Sequence, residues 1–125
     1  MELVYQHHKG FEAIKQLLVQ AQPYKFILGC RNTTNVQSAY DKISYDNKTH
    51  CVTLLPLELS DLRTVKKFAS QTLEKLGSDD LDYLMLNAAL VKPANEPGIN
   101  GTKFCEQYIV NHLCWYIYRY VGIAC

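Results

Sequence analysis

The run KFILGC, Lys25 to Cys30, decides how the rest of the chain is read. It is short, continuously apolar and free of alternation, which marks a strand buried on both faces of a sheet rather than one half-exposed to water. Two further runs follow, HCVTLLPLEL from His50 and LDYLMLNAA from Leu81. Pro56 must lie near the end of the first of these, because a proline cannot donate to a central ladder.

Between the runs the apolar period changes to that of a helix. Phe11, Ile14, Leu17, Leu18 and Ala21 recur at helical spacing after Gly10, with Pro23 as the stop. NTTNVQSAYDKIS predicts a weaker helix capped by Asn32 or Thr33. A clearer helix with Ser60 as its cap presents Leu62, Val65, Phe68, Ala69, Leu73 and Leu76 to a core and ends at Gly77. Phe104 opens a final helix after a loop with Pro93, Pro97, Gly98 and Gly101. Strands alternating with crossover-length helices predict an α/β fold, a parallel sheet covered on both faces. With 125 residues and no linker, repeat or low-complexity segment, residues 1–125 read as one domain.

Composition limits the function classes. The chain is 48% hydrophobic and 20% charged with a formal charge of +1, and its scattered basic residues give no nucleic-acid or anionic-membrane footprint. The apolar tail from Tyr108 to Cys125 contains Asn111, His112 and Arg119 and is too short and polar for a transmembrane span. Five cysteines, an odd number without a C-x-x-C pair, and an N-terminus without a signal peptide read as reduced thiols in a cytoplasmic setting. No ligand spacing among His7, His8, His50 and Cys51 supports a metal site.

In an open parallel sheet, ligands bind at the carboxyl ends of the strands. The residues delivered there are Arg31 and Asn32, Glu58 and Leu59, and Asn87, Ala88 and Ala89. Gly10, at a helix N-terminus, would let a pyrophosphate approach free backbone N–H groups and the positive end of the helix dipole. Arg31 then stands about where an acidic residue would bind the 2′-hydroxyl of NAD, and an arginine suits the 2′-phosphate of NADP. A solvated strand end is the other reading of Arg31.

GFEAIKQLL, FILGCRN, LPLELSDLRTVKKFA, LDYLMLNAA and YIVNHLCWY, in that order, resemble successive segments of the short-chain dehydrogenase/reductase family over roughly residues 10 to 116. The resemblance implies a Rossmann-like sheet truncated to its cofactor-binding half, with NADP as cofactor. Its strand order would put the first strand at the centre, between the second and fourth. It also implies roles for individual residues. Gly10 matches the last glycine of the T-G-x-x-x-G-x-G turn, and Arg31 the basic position that selects NADP. Glu58 and Leu59 match the Asp-Leu beside the adenine, and Leu86 to Ala89 match N-N-A-G with Asn87 retained. Asn111, in VNHL, matches the asparagine of the proton relay.

The departures are equally definite. Leu3, Val4 and His8 occupy the places of the turn's threonine and first two glycines, leaving ELVYQ as a stunted first strand before a short, bulky turn. The family's catalytic serine and Y-x-x-x-K pair are missing; Tyr5 and Lys9 have that spacing at the wrong end of the chain. The expected partners are therefore NADPH, held weakly or not at all, and a second copy or partner chain paired through the last helix and exposed sheet edges. The alternative is a non-catalytic interaction module.

Overall fold

The computed structural model describes residues 2–5, 8–92 and 101–116, with backbone alone at 2–5, 8 and 9. Four parallel strands form its sheet: β1 (Glu2–Tyr5), β2 (Lys25–Cys30), β3 (Cys51–Pro56) and β4 (Tyr83–Met85). Their order is β3-β2-β1-β4. Helices α1 (His8–Leu17), α2 (Thr33–Tyr40) and α3 (Leu62–Leu76) make the crossovers. After β4 comes α4 (Glu106–Tyr108), which runs directly into a π-helical turn, Ile109–Leu113.

β1 is short, yet it is the central strand. It pairs over its whole length with β2, from Glu2 opposite Phe26 to Tyr5 opposite Gly29, and on its other side with Tyr83 to Met85. Glu2–Tyr5 therefore closes the middle of the sheet, pairing with the inner edges of β2 and β4.

Alternation along β2 sorts the core into two layers. Phe26 and Leu28 pack with Ile14 of α1, Leu18 just after it and Tyr40 of α2. Ile27 points the other way, into Leu55, Leu57, Leu59, Val65, Phe68 and Ala69, with Val110 and Cys114 from the final helix. The sheet thus has α1 and α2 on one face and α3 and the final helix on the other. Five of the six β2 residues are buried, as the KFILGC run predicts.

Local chemistry shifts several boundaries. α1 begins at His8, so Gly10 is its third residue, and it ends at Leu17, well short of Pro23, leaving Ala21 exposed. The cap of α3 is Asp61, whose carboxylate accepts from the Arg63 N–H at 3.0 Å; Ser60 is engaged elsewhere and buried. β4 is only half-buried and Tyr83 is 63% exposed, because its outer edge has no strand beside it among the described residues.

Candidate functional site

Parallel pairing brings the ends of β2, β3 and β4 and the start of α1 to one rim of the sheet, where the residues expected to bind a cofactor fall. Only two residues, Gln6 and His7, separate β1 from α1, and both lie outside the described residues. The helix N-terminus is at the rim, but Gly10 lies inside the first turn rather than at its opening.

Arg31 directly follows β2. It is exposed and makes no ion pair or hydrogen bond among the described residues, so its guanidinium is available to a ligand. Asn32 beside it has local work: its Oδ1 accepts the Asn35 N–H at 2.9 Å and caps α2. That cap fixes where the β2 strand stops and hence where Arg31 leaves the sheet.

After β3 the chain is held by Glu58, Ser60 and Thr64. Glu58 Oε1 accepts from Ser60 N at 3.2 Å and Ser60 Oγ at 2.9 Å. The Thr64 hydroxyl accepts the Glu58 N–H at 3.1 Å and lies 2.6 Å from the Glu58 carbonyl, to which it donates. Glu58 is thus folded back on its own turn through one carboxylate oxygen. Leu59 is 1% exposed and its side chain belongs to the core, so only its backbone can face a ligand. Ser60 and Thr64 are site-shaping residues that the motif comparison does not single out. Their signal is the cluster of hydroxyl-bearing residues around a helix start, ambiguous because Ser60 and Asp61 are both good caps.

After β4, Ala88 is buried, Ala89 is exposed, and Asn87 carries an Nδ2 that is buried without a hydrogen-bond partner among the described residues. Asn111 has a well-defined role. Its Oδ1 accepts the Leu90 N–H at 2.9 Å and its Nδ2 donates to the Leu90 carbonyl at 2.8 Å. One side chain therefore mimics a strand partner and clasps the segment after β4 to the final helix. Lys92 adds two more ties, from its N–H to Gln107 Oε1 at 3.0 Å and from its ammonium to Glu106. Asn111 sits in the middle of the π turn, in which the Cys114 N–H reaches back to the Ile109 carbonyl. Such turns recur at functional sites.

The two buried thiols, Cys30 and Cys114, are poor candidates for chemistry. Burial pushes Cys30 up to about 11 and Cys114 up to about 12, leaving the nucleophilic thiolate scarce near neutrality. His50, 4% exposed, pins the amino ends of β2 and β3 instead: its Nδ1 accepts the Tyr24 N–H at 3.3 Å and its Nε2 meets the Gln20 carbonyl at 3.1 Å. A groove of about 670 Å³ runs beside it, lined among others by Tyr24, Lys25, Cys51 and Asp79. It lies at the amino ends of the strands, opposite the rim where α/β sheets hold ligands.

An open parallel sheet in the order β3-β2-β1-β4, with a helix N-terminus at its carboxyl rim, is the arrangement of the Rossmann-like class of α/β folds. Comparison with known proteins narrows the class. The chain is 60% identical over 104 residues, 83% of its length, to a short-chain dehydrogenase/reductase of Pestalotiopsis microspora. No family model matches it. The same fold occurs in NADPH-bound carbonyl reductase from chicken fatty liver (TM-score 0.69, 21% identity, covering 96% of this chain and 48% of that one). It occurs also in the putative carbonyl reductase Sniffer of Caenorhabditis elegans (TM-score 0.71, 21% identity, 96% and 50%). A third likeness is an alcohol dehydrogenase of Thermococcus sibiricus complexed with 5-hydroxy-NADP (TM-score 0.69, 20% identity, 96% and 50%). The chain belongs to the short-chain dehydrogenase/reductase family. It spans 36% of the length of the Pestalotiopsis relative and about half of each solved structure.

Proposed function

We propose that this chain is the NADP-binding half of a short-chain oxidoreductase, and that on its own it binds the dinucleotide weakly and transfers no hydride. The observation that carries the reading is Arg31: an exposed guanidinium without an ion pair among the described residues, at the carboxyl end of β2, beside the capped start of α2. A guanidinium offers a 2′-phosphate charge-assisted contacts that a 2′-hydroxyl does not need.

The other residues fit the adenosine side of such a ligand. Glu58 keeps one carboxylate oxygen for an adenine, the Leu59 backbone lies next to it, and Asn32 shapes the turn below. Asn87, Ala88 and Ala89 follow β4 along the same rim. The Asn87 Nδ2 lacks an acceptor among the described residues, which a ligand or further polypeptide would supply. The pyrophosphate side is weaker, because Val4 and His8 stand in the places of the two glycines that would permit close approach ahead of Gly10. A bound NADP would supply the hydride chemistry; these residues would hold and orient its adenosine end.

Hydride transfer also needs a group that protonates the substrate oxygen. The part of the family that these 125 residues match does not reach its tyrosine and lysine, and Asn111 commits both amide atoms to Leu90. Asn111 therefore acts here by positioning the segment after β4, leaving only its backbone for a relay. The 125 residues act as one partial domain, in a cytoplasmic setting. The test is calorimetric titration with NADPH and NADH. Arg31→Ala should weaken NADPH roughly ten- to a hundredfold, about 1.5–3 kcal/mol, and leave NADH little changed. Equal weakening of both would remove Arg31 from the phosphate role.

A second reading, a non-catalytic interaction module, is favoured by the final helix. Phe104, Tyr108 and Tyr116 are 51%, 41% and 51% exposed and form a ring row with His112, with centroids 5.0 to 5.3 Å apart. Such a row suits pairing with a second copy or another chain. A monodisperse monomer in light scattering, unchanged by Tyr108→Lys, would remove this reading.

A further inference from the structure

Glu58 stands between two leucines that are both buried in the core on the α3 side, Leu57 and Leu59. Alternation from Leu55 through Leu57 to Leu59 leaves Glu58 on the outer side of the turn, half-buried. It comes two residues past the last β2–β3 pair, Cys30 opposite Pro56, and Arg31 comes one residue past it. The carboxylate and the guanidinium therefore leave neighbouring strand ends, about 5 Å apart in the sheet, a span that a nucleoside bridges.

The carboxylate is not left to find its own pose. Ser60 donates to Oε1 twice, from its N–H at 3.2 Å and from its hydroxyl at 2.9 Å. The Thr64 hydroxyl accepts the Glu58 N–H at 3.1 Å and lies 2.6 Å from the Glu58 carbonyl. Side chain and backbone are thus held by separate hydroxyls. The other carboxylate oxygen, Oε2, has no hydrogen-bond or ion-pair partner among the described residues. Ser60 is buried, and its hold on Oε1 gives it a route to a ligand through Glu58.

Fixing one oxygen fixes what the other presents. A glutamate with free torsions turns either oxygen toward a ligand and loses that freedom on binding. Held through Oε1, it offers one preset acceptor, ordered before a ligand arrives. A lone carboxylate oxygen suits a ligand donor such as the exocyclic 6-amino group of a purine. A 6-oxo purine brings an acceptor to the same place, and two acceptors share no proton.

We propose that Ser60 is a positioning residue that sets purine selectivity: by occupying Oε1 it aims Glu58 Oε2 at the ligand, so that the rim takes a 6-amino purine and rejects a 6-oxo purine. This role rests on the reading of the rim as an NADP seat and adds the residue that decides which base the seat admits.

The probes are adenosine 2′,5′-bisphosphate and inosine 2′,5′-bisphosphate, which share the phosphate assigned to Arg31 and differ at the 6-position of the base. Each is titrated calorimetrically into the 125-residue chain and its variants, and the ratio of the two affinities is read. A ratio taken on one sample is insensitive to partial unfolding. The parent should prefer the adenosine probe roughly tenfold or more. Glu58→Gln should reverse the preference, because Ser60 then holds the amide oxygen and leaves the NH2 group, a donor, facing the 6-oxo group. Ser60→Ala should bring the ratio to within about twofold of unity in both backgrounds, while Ser60→Thr, which keeps the hydroxyl, retains it. Thr49→Ala removes a comparable hydroxyl-to-carboxylate bond, to Asp46 at 2.6 Å before β3, and should leave the ratio unchanged. A Ser60→Ala chain that discriminates like the parent, or a Glu58→Gln chain whose preference does not reverse, overturns the proposal. Equal binding of both probes, lost in Arg31→Ala, overturns it while sparing the NADP seat. Binding of neither probe removes the seat and this role together.

Discussion

Replacing Gly29 by alanine probes the contact that sets the sheet against α3. Gly29 lies in β2 opposite Tyr5 of β1 and Leu55 of β3, and it is buried. A Cβ there would stand 2.5 Å from Leu57 Cδ2, 3.1 Å from Phe68 Cε2 and 3.2 Å from Leu57 Cβ. Carbon atoms prefer about 3.5–4.0 Å. The Leu57 methyl could rotate away, but Leu57 Cβ and the Phe68 ring cannot do so freely, since Leu57 is 2% exposed and Phe68 1%. Overpacking of this kind costs about 1–3 kcal/mol. Alanine recovers about 0.4–1 kcal/mol by restricting the unfolded chain. The net loss is about 1–2 kcal/mol, which for a chain of this size lowers Tm by roughly 4–8 °C. Thermal melting followed by circular dichroism reads it. In a Leu57→Ala background the shortest contact is gone, and the added cost of Gly29→Ala should fall close to zero, a coupling that a double-mutant cycle measures. Gly29→Ala as stable as the parent would refute this account of how α3 seats on β2.

Asn111→Ala should cost about 1–3 kcal/mol, because it strands the Leu90 N–H and carbonyl together; faster amide exchange at Leu90, with α1 unaffected, distinguishes this loss from general unfolding. Hydrogen bonds from Arg63 hold the Asp61 carboxyl below its usual range, as those from Thr49 and Lys48 do for Asp46. A depressed native value adds stability that is full above the unfolded value near 3.8 and lost as pH falls through the native one, so stability should drop below about pH 4, and less steeply in Asp61→Asn. Brief alkylation of the native chain at pH 8, read by mass spectrometry, should modify exposed Cys51 and spare Cys30 and Cys114, whose burial keeps them protonated and covered.

The strands were the most legible part of the sequence, for a physical reason. KFILGC has apolar side chains on both faces, and only a strand covered on both sides buries them all. The core side of α3 was equally plain, with Val65, Phe68, Ala69 and Leu76 all buried as their spacing requires. Helix ends were less legible. Ser60 and Asp61 are adjacent cap formers, and only the hydrogen bonds from Ser60 to Glu58 leave the cap to Asp61. ELVYQ reads as a stunted strand because a short, bulky turn replaces the glycine turn after it; Glu2–Tyr5 nevertheless pairs on both sides, with β2 and β4. At the rim, the positions of Arg31 and Glu58 could be read from the strands they follow. The Asn111–Leu90 clasp could not, because it joins residues whose approach depends on the final helix folding back over β4.

The proposed role of Arg31 is an NADP-selective seat at the carboxyl rim of the sheet. Its most direct test is parallel calorimetric titration of the chain and of Arg31→Ala with NADPH and NADH. The expected result is weak binding with NADPH preferred, and a preference that disappears in Arg31→Ala through loss of NADPH affinity alone. Binding of neither cofactor, or a preference for NADPH that survives the substitution, would contradict it.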